Sequence, residues 1–171
     1  MNTIGTMRAL DQTHGAIRVE DVYDTDIDDL WEACTAPERL ARWIAEVSGD
    51  LSVGGEFHAR FTSGWEGTGR VEVCEPPRRL VVRTREQDDQ VDTVVEATLT
   101  SVGDTTVLVV EERGLPVGDL AAYGAGWQVH LEDLSADLAG RGRCDLKARW
   151  DELVPAYRQL IPAGPPAPRA P

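Results

Sequence analysis

The 171-residue sequence is short of lysine, histidine and cysteine and has no long apolar run. Lys147 is the only lysine among 17 basic residues, a bias that reflects genome composition and carries no functional weight. Three cysteines, Cys34, Cys74 and Cys144, are odd in number and far apart, without a C-x-x-C pair. That spacing argues against a disulfide framework and a structural zinc site, and reduced thiols in a cytoplasmic protein are expected. Three histidines, His14, His58 and His130, assemble neither a metal triad nor an acid–base pair, and no G-x-S-x-G elbow offers a nucleophile. No metal or cofactor is expected. No stretch of roughly 18 apolar residues exists, and "MNTIGTMRALDQTHG" lacks the charged start and apolar run of an export signal. Acids outnumber bases 30 to 17, and the net charge of -13 would repel a phosphate backbone and anionic headgroups, so nucleic acid binding and membrane insertion are not expected.

Two motif-like stretches fail on inspection. "DTDID" at 24–28 imitates the start of a calcium loop, but Asp29 stands where glycine is needed and Thr35 where glutamate is needed. "GWEGTGR" has neither the spacing nor the lysine of a phosphate loop and reads as a hairpin.

What is present is material for one core: 42% of residues are hydrophobic, and neither a repeat nor an internal linker divides the chain. Residues 1–14 are weakly patterned and 161–171, "IPAGPPAPRAP", are Pro/Ala-rich, so both are expected to be flexible tails. "AIRVEDVY" alternates as a half-buried strand ending near Tyr23. "DTDIDDLWEACTAPERLARWI" predicts two short helices, the first capped by Asp24 or Thr25, the second started by Pro37. From Asp50 to Leu115, β-branched residues in alternating runs are punctuated by "VGG", "TSG", "EPP", "EQDDQ" and "SVGD", an antiparallel meander with Arg60, Arg70, Glu72, Arg83 and Arg85 on its wet face.

A long helix capped by Asp119 and stopped at Gly140 then carries Leu120, Tyr123, Trp127, Leu131, Leu134 and Leu138 as one apolar stripe able to cover the sheet. Gly124 and Gly126 interrupt its first turns, although each interior glycine costs roughly 1 kcal/mol relative to alanine. Backbone must come close to something there, either a neighbouring element or a bound molecule. Residues 141–160 add an amphipathic helix with Leu146, Trp150, Leu153 and Tyr157, interrupted at Pro155. It packs on the body, pairs with a second copy in a homodimer, or receives a protein partner.

In order and spacing, "IRVE", "LWEACTAPERLARW", "VGGEF", "GTGRVEVCEPPRRLVV", "TTVLVVEERGLP" and "GAGWQVHLEDLSADL" resemble the START-like or Bet v 1-like (SRPBCC) superfamily, in the branch of the Hsp90 ATPase activator C-terminal domain. The resemblance covers roughly residues 15–140. It implies an α+β helix-grip fold: a curved antiparallel sheet of six or seven strands around a long C-terminal helix, two short helices after the first strand, and a cavity that takes apolar molecules.

On that reading, strand parity and the helical stripe nominate Phe57, Phe61 and Trp65, Val95 and Ala97, Leu108, Val110 and Glu112, opposed by Tyr123, Trp127, His130 and Leu131, with Trp43 closing one end. Parity puts the Glu112 carboxylate on the apolar face, where it either orients a ligand's hydroxyl or amine, or reaches water or an arginine at the strand end. His130 lies at the edge of the stripe. The leading expectation is a non-enzymatic module binding a small hydrophobic molecule such as a lipid or polyketide. The alternatives are a cyclase or aromatase-like enzyme using Glu112 and His130, and a chaperone-associated protein, although nothing in the chain matches the activators' companion N-terminal domain.

Overall fold

The computed structural model describes residues 3–160, so the expected C-terminal tail at 161–171 lies outside the described residues, as do residues 1 and 2. The eight strands are β1 Gly5–Ala9, β2 His14–Tyr23, β3 Ala45–Gly49, β4 Glu56–Phe61, β5 Glu66–Glu75, β6 Arg79–Glu86, β7 Thr93–Val102 and β8 Thr105–Pro116. They form one antiparallel sheet in the order β1-β2-β8-β7-β6-β5-β4-β3, so only the β2–β8 neighbours are not consecutive in the chain. Helices α1 Ile27–Thr35 and α2 Pro37–Trp43 follow β2, and α3 Leu120–Leu138 and α4 Leu146–Gln159 follow the sheet. This is the α+β helix-grip architecture, with two more strands at the edges than the lower expected count.

The helix starts depart from the sequence reading in instructive ways. Asp26, rather than Asp24 or Thr25, caps α1, its Oδ1 accepting the Asp29 amide at 2.9 Å. Pro37 opens α2, where its missing N–H has no partner to lose. Asp119 makes no capping bond, because a 3-10 turn over Val117–Asp119 leads into α3 instead. Gly140 takes the left-handed conformation (φ +72°) that a side chain would resist, and the helix ends there.

The core lies between the inner sheet face and α3: Ile17, Val19, Leu99, Leu108 and Val110 from the strands meet Leu120, Val129, Leu131 and Leu134 from the helix, with Leu30 and Trp43 closing one end. Tyr23 ties the layers by donating to the Leu131 carbonyl at 3.1 Å. The outer face is wet, as the arginine pattern required. An ion-pair ladder crosses it: Arg8–Glu111 at 2.7 Å, Arg113–Glu111 at 2.9 Å, Arg113–Glu96 at 3.0 Å and Arg79–Glu96 at 2.6 Å.

Residues 5–9 are not a tail. They pair with β2 from Gly5↔Val19 to Ala9↔Gly15, and α4 explains why the strand forms. The Tyr157 ring occupies a slot between two glycines: a Cβ on Gly5 would lie 2.8 Å from its Cε1, and a Cβ on Gly124 would lie 2.7 Å from its Cδ1. Its hydroxyl donates to Gln128 Oε1 at 2.8 Å, an oxygen that also accepts the Ile4 amide at 3.1 Å. The last helix thus holds the first strand onto α3. Replacing Tyr157 by Phe is expected to lower unfolding free energy by about 1 kcal/mol, read by urea denaturation, since Gln128 loses one buried donor but keeps another.

Nor does Pro155 interrupt α4, which runs unbroken to Gln159. Pro155 faces solvent while Leu153, Val154 and Tyr157 are buried against the body, so tertiary packing spans the one missing backbone bond. Arg149 adds a two-pronged ion pair to Glu132 of α3, both N···O distances 2.9 Å.

Candidate functional site

Between the β4–β5 turn, the middle of the sheet and the first half of α3 the layers do not close, leaving a cavity of about 820 Å³. Its position follows from local sequence. Glycine at 126 places no side chain there, and a Cβ built on it meets nothing within 4 Å. Gly124, on nearly the opposite face of the helix, has the opposite environment, pressed against Tyr157 and Ile17. The two glycines that weaken α3 therefore serve separate ends, one close packing and one open space.

Of the residues nominated from the sequence, Phe61, Trp65, Val95, Glu112, Tyr123, Trp127 and His130 line the cavity together. The other six do not. Leu108, Val110 and Leu131 are on the predicted inner face but lie in the filled core, and Ala97 packs against it. Trp43 is buried at the α1–α2 corner, its indole N–H donating to the Ala33 carbonyl at 2.9 Å. Phe57 folds its ring onto Gly69, the residue opposite it on β5, where a Cβ would come within 2.2 Å of the ring.

The structure also contributes lining residues that were not nominated. Thr84 comes from β6, where alternation between Arg83 and Arg85 already turned it inward, while Thr62, Ser63 and Gly64 from the turn and Asp145, Leu146, Lys147 and Trp150 from the start of α4 lie beyond what strand parity could supply. That last group stands at the mouth because the Cys144 amide donates to Asp133 Oδ1 at 2.9 Å and the Trp150 indole donates to the Ala122 carbonyl at 3.0 Å. The periodicity of Leu146 and Trp150 marked them as an apolar face without saying which face of the body it would meet.

Aromatic rings make the cavity wall. Phe61 stacks at a tilt on Trp65 with centroids 5.0 Å apart and meets Trp127 and His130 edge-on at 6.3 and 5.6 Å. Such geometries suit the quadrupoles of the rings and hold their faces in fixed positions.

Two polar side chains sit inside this apolar wall. Glu112 is 5% exposed, and no arginine among the described residues pairs with it. Instead the Trp127 indole donates to Oε2 at 2.7 Å and the Thr93 hydroxyl to Oε1 at 2.8 Å. Thr93 has one hydroxyl proton and spends it on Glu112, so Thr84, 3.0 Å away, must be the donor in the Thr84–Thr93 pair. The result is a relay from Thr84 through Thr93 to Glu112. Burial raises the Glu112 pKa, and the two donated bonds offset only part of the rise. The same burial, with Glu112 nearby, raises Tyr123. His130 is 3% exposed, its Nδ1 has no hydrogen-bond partner among the described residues, and burial depresses its pKa to about 4, so it is a neutral imidazole at neutral pH.

Among the described residues, no group of three His, Cys, Asp or Glu side chains is placed to hold a metal ion, and no helix is long and apolar enough to cross a membrane. Cys34 is half-buried, and desolvation pushes its thiol up to about 12, which keeps it from acting as a nucleophile.

Known proteins share this fold. The family model for Activator of Hsp90 ATPase homolog 1-like protein matches residues 24–139. CalU16 from Micromonospora echinospora is 29% identical in its crystal structure, with a TM-score of 0.77 over 94% of this chain and 98% of that one. DynU16, from the dynemicin biosynthetic locus, is 28% identical, with a TM-score of 0.70 over 76% of this chain and 50% of that one. The Hsp90 activator PFC0360w of Plasmodium falciparum shares the fold at 24% identity, with a TM-score of 0.61 over 72% of this chain and 96% of that one. No curated protein matches in sequence.

Proposed function

Because this chain belongs to the Activator of Hsp90 ATPase homolog 1-like family, within the START-like superfamily, we propose that it binds a small, largely apolar organic molecule between sheet and helix without covalent chemistry. The observation that carries this reading is the cavity of about 820 Å³, walled by Phe61, Trp65, Trp127 and Trp150. Its volume falls within the range of roughly 300–1,000 Å³ usual for small-molecule sites, and such sites combine apolar walls with a few fixed polar groups. Glu112 and His130 are those groups here. The likeness to a protein of a biosynthetic locus supports a small organic occupant.

Substitution at Gly126 tests the reading, because a side chain there enters open space instead of the core. Wild-type protein is expected to bind 1-dodecanol saturably, quenching the cavity tryptophans and raising the melting temperature, as any ligand taken only by the folded state does. Gly126→Leu is expected to fold normally and bind at least tenfold more weakly. Equal binding by the two proteins, or no saturable binding by the wild type, overturns the proposal.

A further inference from the structure

We infer that the occupant of this cavity carries a positively charged amine, held against Glu112 and enclosed by the aromatic wall. This rests on the small-molecule reading above and narrows it to cationic amphiphiles.

The first observation is the unfinished bonding of Glu112. A carboxylate offers about four lone-pair positions, and the Thr93 hydroxyl and the Trp127 indole fill one on each oxygen. Both donors are neutral, so they fix the carboxylate's position without cancelling its charge. At 5% exposure it has little water to do so. A buried carboxyl in this state is satisfied by a cation that also donates hydrogen bonds, as an ammonium group does.

The second is the charge of the rest of the lining. Three carboxylates, Glu86, Glu112 and Asp145, border the cavity with one cation, Lys147. The Lys147 side chain is 82% exposed and its charge is already paired with Asp151 at 2.5 Å. His130 is neutral at neutral pH. An entering cation therefore meets a field of favourable sign from mouth to floor, within a protein of net charge -13, and an entering anion meets the reverse.

The third is the wall itself. Trp127 both donates to Glu112 and belongs to the ring cluster with Phe61 and Trp65, so the rings stand beside the carboxylate. Aromatic faces attract a desolvated cation, and Trp is the strongest of them. Carboxylate, rings and apolar volume together describe a receptor for an alkyl or aryl amine.

Three probes of one chain length separate charge from apolar size: dodecylamine, 1-dodecanol and dodecanoate, the two ionic ones below their critical micelle concentrations and the alcohol below its solubility limit, titrated at pH 7 with tryptophan fluorescence as readout. The amine is expected to bind at least tenfold more tightly than the alcohol, and dodecanoate most weakly. In Glu112→Gln the preference for amine over alcohol is expected to fall below threefold. If that variant does not fold, the ranking of the three probes on wild-type protein decides by itself. Equal affinity for amine and alcohol, or an undiminished preference in Glu112→Gln, overturns the inference and leaves the apolar-cavity reading standing. Failure of all three probes to bind overturns both.

Discussion

Gly124→Val is expected to cost about 2–3 kcal/mol of folding free energy, whereas Gly126→Ala, two residues along the same helix, is expected to gain up to about 1 kcal/mol. Intrinsic propensity favours both changes, since glycine is the poorest helix former apart from proline. Packing decides between them. A Cβ on Gly124 would lie 2.7 Å from Tyr157 Cδ1 and 2.8 Å from Ile17 Cδ1, and valine adds two methyl groups beyond it. Neither neighbour has room to retreat, because Tyr157 is also gripped by Gly5 and bonded to Gln128. Gly126 faces the cavity and meets nothing. Chemical denaturation measures both effects. The mechanism predicts one thing more: the Gly124→Val penalty should shrink by at least about 1 kcal/mol in a Tyr157→Leu background, as contacting residues couple and distant ones do not. A penalty unchanged in that background would place the clash elsewhere.

That contrast marks the boundary of what the sequence could reveal. Two helix glycines before a tryptophan announced a close approach to a neighbouring element or a bound molecule; Gly124 meets the neighbouring element, and Gly126 faces open space. Assigning them required knowing that Tyr157 of α4 returns to α3, a contact made across 33 residues of chain (157 less 124) that no local pattern encodes. The same return turned residues 5–9 from a weakly patterned end into a strand, since much of what holds Gly5–Ala9 in place is supplied by the opposite end of the sequence.

The sheet, the short helices and the long amphipathic helix were legible because periods of two and 3.6 residues report which face is apolar. Depth along a strand has no such signature. Val95, Ala97 and Leu99 share one face of β7, yet Val95 borders the cavity, Ala97 packs on the core and Leu99 is buried within it. Leu108, Val110 and Glu112 divide in the same way along β8. Parity chose the correct side and α3 chose the level, by covering one end of the sheet tightly and standing off from the other. Glu112 shows what that costs in prediction: as a strand-end residue it was open to being solvated, but Trp127 and Thr93 close over it.

His130 gives the second large effect, and it is expected to appear as pH dependence of stability. In the unfolded chain its imidazole takes a proton below about pH 6.5, but in the folded protein burial among Phe61 and Trp127 delays protonation to about pH 4. Between those values the unfolded state binds more protons than the folded one, so stability falls as pH falls through the window. The loss attributable to this residue is about 2 kcal/mol by pH 5 and about 3 kcal/mol by pH 4, from 1.36 kcal/mol per pKa unit. Paired carboxylates such as Glu111 and Glu96, whose pKa values are lowered mainly by their arginine partners, add their own acid lability at lower pH. The measurement is therefore a difference. His130→Leu removes the titrating group while keeping an apolar side chain on the helix, and the stability of the variant relative to wild type should rise by about 2 kcal/mol between pH 7 and pH 5. Parallel curves would mean that His130 titrates normally, with water reaching it inside the cavity. In that event the cavity floor is wet, and the aromatic wall around Phe61 and Trp127 opens more freely than its packing implies.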